Sequence, residues 1–343
     1  MAGPRSPELS LFSADSHVIE NPGLWGDLVP EGFFRPADSD FDPTTAQIEA
    51  KARLVETAKD GVHGEVLYPT LGLKLFGLDD PEQQASCFRR YNEWLAEFCA
   101  AAPDQLIGIG LLAAYDIDTA IAEARNCAAA GMKGVLVWQT PPPELSFSGT
   151  HYDPLWAELE KLKLPVSLHI LSGFNYSRFG NIPTKQNLTP LEDAIERHRG
   201  SVNLKLLAAT DALLDLTFSG VLDRFPSLRV VIVENEIGWL PFVLDQYDYY
   251  YNAKKDTRAI ELEHLPSEYF GDHVFATFFR DPVGTRLLDS WGVDGCMWSN
   301  DYPHPNSTWP NSRAVVEQTL GYLPADVREK LVRTNALKLY NLE

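Results

Sequence analysis

Metal-capable side chains stand at the ends of short apolar runs that are far apart in this sequence. Asp15 and His17 occur in SADSHVIE, His169 in PVSLHI and Asp301 in MWSNDYPH. A (β/α) barrel brings the carboxyl ends of its strands to one mouth, so residues distant in sequence can meet there. Carboxylate and imidazole together suit Zn²⁺, Mn²⁺ or Fe²⁺. The pattern therefore predicts a metal-dependent enzyme.

The elements that must position these residues alternate along the chain. Eight runs read as strands, namely LFSADSH, GEVLYPT, LIGIGLL, KGVLVWQ, PVSLHI, RVVIVEN, VFATFF and GCMWSND. Between them, stretches such as PEQQASCFRRYNEWLAEFCAAA and YDPLWAELEKLK have apolar residues at helical spacing. Repeated β and α elements predict an α/β fold, specifically a (β/α)8 TIM-like barrel.

Length and polarity suggest the domain organisation. With 343 residues, 45% of them apolar, the chain can bury a large core, and single-domain barrels reach this size. We therefore expect one barrel domain over residues 1–343. Two long polar segments, near 21–60 and 172–203, interrupt the repeat, and we expect them to be insertions that form lids or substrate-binding loops.

Charge and hydropathy exclude several classes of partner. The formal net charge is −19 and no Lys/Arg cluster forms a basic face, which argues against nucleic acid. The first residues lack the continuous apolar segment of a signal peptide, and no stretch of about 18 apolar residues could span a bilayer. We therefore expect a cytoplasmic protein with no membrane partner.

The longer motifs resemble those of the amidohydrolase-2 family, in the branch that includes aminocarboxymuconate semialdehyde decarboxylase and resorcylate-type decarboxylases. Matching stretches run from DSHVIENPGLW through LTFSGVLDRFPSLRVVIVENEIGWLPFVLDQYD and MWSNDYPHPNSTWP to NALKLY, which spans nearly the whole chain. MWSNDYPHPNSTWP is the most specific stretch, because an acidic residue at a strand end followed by Pro-His is rare by chance beside the other matches.

The resemblance implies four metal ligands, which are Asp15, His17, His169 and Asp301. Alternate side chains of an extended chain point to the same face, so Asp15 and His17 can both reach the barrel axis. Asp301 is also the expected proton carrier. His304, three residues further on, is expected to contact a metal ligand or the substrate. The expected cofactor is one divalent ion, Zn²⁺ or Mn²⁺, with no organic cofactor.

The chain departs from the family's pattern at three strand ends. Asp15 stands where founding members have His, which makes the site more anionic and leaves both Zn²⁺ and Mn²⁺ open. Glu234 stands where many relatives have His; it is the expected catalytic contact to substrate or to water on the metal, with Glu236 as the alternative. Strand four ends in Trp138 and Gln139, with no Lys to be carbamylated between two ions. A single metal is therefore favoured.

Aromatic and basic residues near the strand ends indicate the kind of substrate. The candidates for binding it are Tyr68, Trp138, Phe279, Arg280 and Trp298, together with Phe174, Tyr176 and Arg178 in the long segment after strand five. Aromatic walls bury a planar ring, and an Arg pairs with a carboxylate. These residues favour a planar, anionic small molecule.

Each assignment has a structural alternative. His17 and His169 could be hydrogen-bonded core histidines, and Asp15 could be the N-cap of a turn. Glu234 could be a salt-bridged carboxylate at the rim, and His304 a structural part of the DYPHP turn. Four metal-capable residues at strand ends, taken together, favour the metal site.

Two reactions fit this site, and the resemblance favours the first. In a non-oxidative decarboxylation of an aromatic or unsaturated carboxylic acid, the metal holds the carboxylate and Asp301 protonates the carbon that loses CO₂. In a hydrolysis of an amide, lactone or C–C bond, Asp301 takes a proton from a metal-activated water. A non-catalytic barrel with a relic site is a third hypothesis. We expect a homo-oligomer, a dimer, since relatives often dimerise and the aromatic run at 247–251 could form an interface.

Overall fold

Eight parallel strands form the centre of the molecule. The computed structural model describes residues 9–34, 48–173, 188–257, 259, 261–288 and 291–343. The strands are β1 (Leu11–Val18), β2 (Val62–Pro69), β3 (Leu106–Leu111), β4 (Gly134–Thr140), β5 (Val166–Gly173), β6 (Val230–Val233), β7 (Val274–Phe278) and β8 (Cys296–Trp298). They lie in one sheet in sequence order, and each pairs in parallel with the next. Each run predicted to be a strand contains one.

The segment after β8 returns to β1 and brings the two edges of the sheet together. The amide of Asp301 donates to the carbonyl of Asp15 at 3.0 Å, and the amide of His17 donates to the carbonyl of Tyr302 at 2.7 Å. The sheet is thereby almost closed, which confirms the predicted (β/α)8 barrel. In such a barrel the carboxyl ends of all strands share one face.

Helices alternate with the strands. The α-helices are Ala50–Lys59, Pro81–Cys99, Ile117–Ala129, Asp153–Leu162, Pro190–Phe218, Val221–Arg224, Leu240–Ala253, Pro282–Leu287, Ser312–Leu320, Ala325–Glu329 and Asn335–Leu339, with short 3₁₀ helices at Pro22–Trp25, Gly72–Gly77, Pro143–Leu145, Pro266–Tyr269 and Val293–Gly295 and a π-helix at Lys330–Thr334. Helix starts carry the expected caps, since the side chains of Asp80 and Asp116 accept amide hydrogen bonds there. Among the described residues, we find no helix that combines the length and apolarity needed to cross a membrane.

The core lies on both faces of the sheet. Every residue of β1, β3, β6, β7 and β8 is buried, as expected for parallel strands between a packed interior and an outer layer of helices. The helix Pro81–Cys99 buries Phe88, Tyr91 and Leu95, which recur at helical spacing along its inner face. The same strands therefore build the core and present their last residues at the mouth.

The two long polar segments contain helices where the sequence indicated loops. Residues 50–59 are helical, and residues 190–203 form the first half of a 29-residue helix that begins with a capping box between Thr189 and Glu192. Their polarity reflects helices that carry many exposed side chains, and polarity alone does not distinguish such helices from loops. Residues 35–47 and 174–187 lie outside the described residues.

The last helical segment closes the amino-terminal end of the barrel. The Asn335 side-chain amide donates to the carbonyls of Val293 at 2.7 Å and Cys296 at 2.8 Å, at the start of β8. The buried Tyr340 hydroxyl lies 3.3 Å from that of Tyr68 on β2. The opposite end, where the strands finish, is left for the site.

Candidate metal centre and active site

Six titratable side chains converge at the carboxyl ends of four strands. They are Asp15 and His17 of β1, His169 of β5, Glu234 directly after β6, and Asp301 and His304 after β8. They form two overlapping groups of four whose ligand atoms lie within 4.8 Å of one another, and the groups share His17 and Glu234. Three of the four residues predicted as ligands, Asp15, His17 and His169, thus share one group with Glu234, and the fourth, Asp301, joins His17 and Glu234 in the other group.

Carboxylate oxygens surround the Nε2 atoms of the two buried imidazoles. His17 Nε2 lies 3.6 Å from Asp15 Oδ1, 3.7 Å from Glu234 Oε2 and 3.5 Å from Asp301 Oδ1. His169 Nε2 lies 3.7 Å from Asp15 Oδ1 and 3.5 Å from Glu234 Oε2. These separations exceed hydrogen-bond lengths. Two ligands each about 2.1 Å from a tetrahedral ion lie about 3.4 Å apart, so the spacing fits atoms that share an ion.

The atoms that face the centre of the cluster have no hydrogen-bond partner among the described residues. They are both carboxylate oxygens of Asp15 and the Nε2 atoms of His17 and His169. An unsatisfied buried polar group costs about 1–3 kcal/mol, so these atoms are suited to bind a cation. The position of Asp15 inside β1 and its unpaired oxygens do not fit the alternative of an N-cap.

The other nitrogen of each imidazole is engaged by the backbone. His17 Nδ1 donates to the carbonyl of Pro69 at 2.8 Å, and His169 Nδ1 donates to the carbonyl of Ile170 at 2.6 Å. A proton on Nδ1 leaves the lone pair on Nε2, which points into the cluster. Two imidazoles and several carboxylates fit a divalent metal ion.

Burial and mutual charge shift the pKa values within the cluster. Burial lowers the pKa of His17 to about 4, and the nearby His304 acts in the same direction. Burial raises the pKa of Asp301 to about 7, with a further contribution from the carboxylate of Glu234. For Glu234, burial is outweighed by His17 and His169, and its pKa falls below the usual range. The lowered pKa values of His17 and Glu234 favour the neutral imidazole and the ionised carboxylate, which are the forms that bind a metal.

His304 connects Asp301 to the segment after β2. Its Nδ1 lies 2.8 Å from Asp301 Oδ1, and its Nε2 lies 3.1 Å from Thr70 Oγ1. Its ring stacks on that of His17, with 3.9 Å between centroids. The side chain is 15% exposed, whereas that of Asp301 is fully buried. His304 thus contacts two residues of the cluster, the kind of contact expected for it from the sequence.

The backbone adopts a left-handed conformation at two residues of the site. Glu234 has φ of 62° and Asp301 has φ of 57°. Residues other than glycine rarely adopt this region, and such strain concentrates at functional sites. At each strand end it redirects the side chain, so the simple alternation of an extended strand stops there.

A buried ion pair, missed in the sequence, holds the ends of β1 and β8. The guanidinium of Arg53 binds the carboxylate of Glu65 at 2.8 Å, and neither side chain is more than 1% exposed. Arg53 also donates to the carbonyls of His17 at 2.7 Å and Tyr302 at 3.2 Å. No local sequence signal marks this role, because the contacts join residues far apart in the chain.

Glu20, also missed, holds the segment that follows β2. One carboxylate oxygen accepts the amides of Thr70 at 3.1 Å and Leu71 at 3.0 Å, and the other accepts that of Gly72 at 2.9 Å. Burial raises the pKa of Glu20 to about 7. Pro69, the last residue of β2, contacts the His17 ring, and Thr70 contacts the His304 ring, so Glu20 positions both rings indirectly.

Lys205 lies beside the site, in a helix that the sequence did not indicate. Its Nζ donates to the carbonyl of Glu234 at 2.9 Å and lies 5.3 Å from the ring centroid of Phe279. The amide of Phe279 donates to Glu236 Oε2 at 3.3 Å. Of the two acidic residues considered from the sequence, Glu234 joins the cluster, and Glu236 binds the backbone after β7.

Two predicted substrate contacts, Trp138 and Arg280, have their described hydrogen bonds elsewhere, and a third, Trp298, is buried. Trp138 is buried and donates to the hydroxyl of Tyr152 at 2.8 Å. Arg280 donates to the carbonyl of Ser307 at 2.9 Å, and Trp298 is buried within β8. The hydroxyl of another candidate, Tyr68, lies 2.9 Å from Oγ of the buried Ser167. Three further candidates, Phe174, Tyr176 and Arg178, lie outside the described residues.

Fold and site define a (β/α)8 barrel with a buried carboxylate and imidazole cluster that suits a metal. A family model described as Amidohydrolase, Amidohydro_2, matches residues 73–342. The match covers most of the chain, so the protein belongs to this amidohydrolase family. The family resemblance noted in the sequence is confirmed.

Individual relatives are similar over most of their length. Gamma-resorcylate decarboxylase of Rhodococcus jostii (strain RHA1) is 29% identical over 291 residues, which cover 78% of this chain and 80% of the relative. The 2-amino-3-carboxymuconate-6-semialdehyde decarboxylase of Dictyostelium discoideum is 24% identical over 327 residues, covering 92% and 81%. The crystal structure of dihydroxybenzoic acid decarboxylase from Polaromonas sp. JS666, with bound manganese and the inhibitor 2-nitroresorcinol, superposes with a TM-score of 0.72 at 20% identity, covering 97% of both chains. That structural similarity shows the fold, and both sequence relatives are decarboxylases.

Proposed function

We propose that this protein is a metal-dependent, non-oxidative decarboxylase of an aromatic or unsaturated carboxylic acid. The observation that carries the proposal is the buried cluster in which both oxygens of Asp15 and the Nε2 atoms of His17 and His169 point at one another without hydrogen bonds. The reaction class is supported by the two sequence relatives, which are decarboxylases.

Four residues would hold the metal in this proposal, namely Asp15, His17, His169 and Asp301. Two imidazoles and two carboxylates are ligands that both Mn²⁺ and Zn²⁺ accept. When bound, the ion supplies positive charge that orients an anionic substrate and stabilises developing negative charge. The manganese in the Polaromonas structure supports a metal-dependent reaction.

Asp301 is the proton donor in the proposed reaction. Its carboxyl proton goes to the carbon that bears the carboxylate, and a C–H bond forms there. The C–C bond to the carboxylate then breaks, its electron pair returns to the ring or double bond, and CO₂ leaves. In the protein without its ion, burial raises the pKa of Asp301 to about 7, which is in the range where a carboxyl group exchanges protons near neutral pH.

His304 would return a proton to Asp301 after each turnover. Its Nδ1 lies 2.8 Å from the Asp301 carboxylate, and its side chain is 15% exposed. Thr70 Oγ1 contacts the other ring nitrogen at 3.1 Å. The ring therefore connects a buried carboxyl group to a partly exposed path, which a repeated proton transfer needs.

Lys205 and Phe279 would bind the substrate's anionic group and ring. The ammonium of Lys205 lies beside the cluster, bonded to the carbonyl of Glu234, and the Phe279 ring lies 5.3 Å from it. A cation near the mouth offsets the negative charge of the cluster's carboxylates for an incoming acid. Arg178, Arg280, Trp138 and Trp298 stay predicted contacts.

A hydrolase with the same ligands is the second candidate. The description of the family as Amidohydrolase favours it, and Asp301 would then act as the base that takes a proton from water. The substrate would be an amide, a lactone or a C–C bonded carbonyl compound.

Deuterium incorporation separates the two reactions. Metal-loaded protein in D₂O is offered a panel of hydroxybenzoates, and CO₂ and product are analysed. Decarboxylation predicts CO₂ and one deuterium at the carbon that lost the carboxylate. Turnover of lactones or amides without CO₂ from any acid would instead establish the hydrolase.

A homodimer is part of the proposal. Within the aromatic run at 247–251, Tyr249 is 62% and Tyr250 is 54% exposed, whereas Tyr251 is 6% exposed. The exposed pair supports an interface, which light scattering on purified protein tests. The cytoplasmic location stays a prediction.

A further inference from the structure

We infer that Glu234 is a metal ligand of this protein and that it shifts the preference of the site from Zn²⁺ towards Mn²⁺. The inference rests on the proposed metal centre and goes beyond it. The four ligands assigned from the sequence do not include Glu234, whose role was expected to be a contact to substrate or water.

Glu234 has the same spatial relation to the two imidazoles as Asp15 has. Its Oε2 lies 3.7 Å from His17 Nε2 and 3.5 Å from His169 Nε2. Asp15 Oδ1 lies 3.6 Å and 3.7 Å from the same two atoms. An ion that lies where Asp15 and both imidazoles can bind it therefore also lies within reach of Glu234.

A direct hydrogen bond does not explain this geometry. Nitrogen-to-oxygen hydrogen bonds measure about 2.7–3.2 Å, and the distances here are 3.5 and 3.7 Å. Both imidazoles already donate through Nδ1 to backbone carbonyls, which leaves their Nε2 atoms to face the carboxylates. In the neutral form that binds a metal, the nitrogen lone pairs and the carboxylate oxygens repel one another unless a cation lies between them.

The backbone holds Glu234 on both sides. Its amide donates to Thr277 Oγ1 at 2.9 Å, and its carbonyl accepts from Lys205 Nζ at 2.9 Å. Glu234 itself has φ of 62°, which is a strained conformation that persists only where the surrounding structure fixes it. A carboxylate fixed in this way is preorganised to bind a metal ion.

An additional carboxylate changes which ion the site prefers. With Asp15 and Asp301, Glu234 gives three carboxylates and two imidazoles. Zn²⁺ is most often bound by four ligands in a tetrahedral site, whereas oxygen-rich sites with more ligands suit Mn²⁺. Zn²⁺ binds more tightly than Mn²⁺ to most simple ligand sets. A fifth ligand that is an oxygen atom reduces this difference in affinity.

The test measures metal binding in variants of Glu234. Glu234→Gln keeps the size of the side chain and removes its charge, and Glu236→Gln is the matched control at the same strand end. Mn²⁺ affinity is measured by electron paramagnetic resonance titration, and Zn²⁺ affinity by competition with a chelating dye. We expect Glu234→Gln to weaken Mn²⁺ binding at least about 10-fold, since even indirect partners of ligands are worth about 10–100-fold. Zn²⁺ affinity should fall by a smaller factor, and the control should bind both ions as the unchanged protein does.

Each outcome decides one part of the inference. Mn²⁺ affinity unchanged in Glu234→Gln, with turnover lost, would overturn the ligand role and assign Glu234 to the substrate. Equal losses of Mn²⁺ and Zn²⁺ affinity would overturn the preference. If Glu234→Gln does not fold, Glu234→Asp replaces it as the test variant, since it keeps the charge on a shorter side chain. Its Mn²⁺ affinity is expected to fall by less than the factor of about 10 expected for Glu234→Gln. A starting protein that binds neither ion would overturn the metal centre itself, a result distinct from the other two.

Discussion

Breaking the buried ion pair between Arg53 and Glu65 tests how the barrel positions the proposed metal ligands. The guanidinium contacts two Glu65 oxygens at 2.8 and 3.1 Å and the carbonyls of His17 at 2.7 Å and Tyr302 at 3.2 Å. Neither charged side chain is more than 1% exposed. Glu65→Leu leaves the guanidinium charge buried without its partner. The free energy of unfolding should fall by about 3–5 kcal/mol.

A second variant separates the charge from the hydrogen bonds. Arg53→Met combined with Glu65→Leu fills a similar volume and leaves no buried charge, which is often close to neutral. The carbonyls of His17 and Tyr302 still lose a donor, at about 1 kcal/mol each. The free energy of unfolding of the double variant should therefore be about 2 kcal/mol lower than that of the unchanged protein. It should be higher than that of Glu65→Leu.

Urea unfolding of chelator-treated protein measures these differences, and metal titration of the folded variants accompanies it. Metal affinity should fall in both variants, because the two carbonyls belong to His17 and to the neighbour of Asp301. The reasoning would be refuted if the free energy of unfolding of Glu65→Leu were within about 1 kcal/mol of that of the unchanged protein. It would also be refuted if the double variant were no more stable than Glu65→Leu.

Three further changes test other parts of the site. Asp301→Asn should lower kcat about 10²–10⁴-fold in metal-loaded protein, and normal CO₂ release would remove Asp301 as the proton donor. Lys205→Met should raise KM for the acid about 10-fold, which corresponds to the loss of one charged hydrogen bond. Lys205→Arg keeps the positive charge and should bring KM back towards the value of the unchanged protein. A fall in kcat alone would contradict a binding role for Lys205. Burial raises the pKa of Glu20 from 4.5 to about 7, so its contribution to stability is full below about pH 4.5 and is lost as pH rises through 7. Urea unfolding should therefore show the stability of the unchanged protein relative to Glu20→Gln falling by about 3 kcal/mol between pH 4.5 and 8, and a difference independent of pH would contradict this.

The strands and the predicted metal ligands could be read from the sequence because both are local patterns. Short Val, Ile and Leu runs that end in polar residues mark buried parallel strands. The spacing of Asp15 and His17 follows the alternation of an extended strand, and both residues lie in β1. The barrel then brings His169 and Asp301 to the same end.

The remaining parts of the site depend on features that residue types do not encode. Glu234 and Glu236 have φ of 62° and 58°, a conformation expected for Gly or Asn, so alternation did not show which acid joins the cluster. Arg53 acts through contacts that cross from a helix to two strand ends. Lys205 reaches the site from a long helix whose polar first half was interpreted as a loop.

The most direct test of the central claim is metal analysis of the purified protein, coupled to CO₂ release from hydroxybenzoates before and after chelation. The proposed function predicts one Mn²⁺ or Zn²⁺ per chain, loss of CO₂ release on chelation, and recovery when the ion is restored. A protein that binds no metal, or CO₂ release that chelation leaves unchanged, would contradict it.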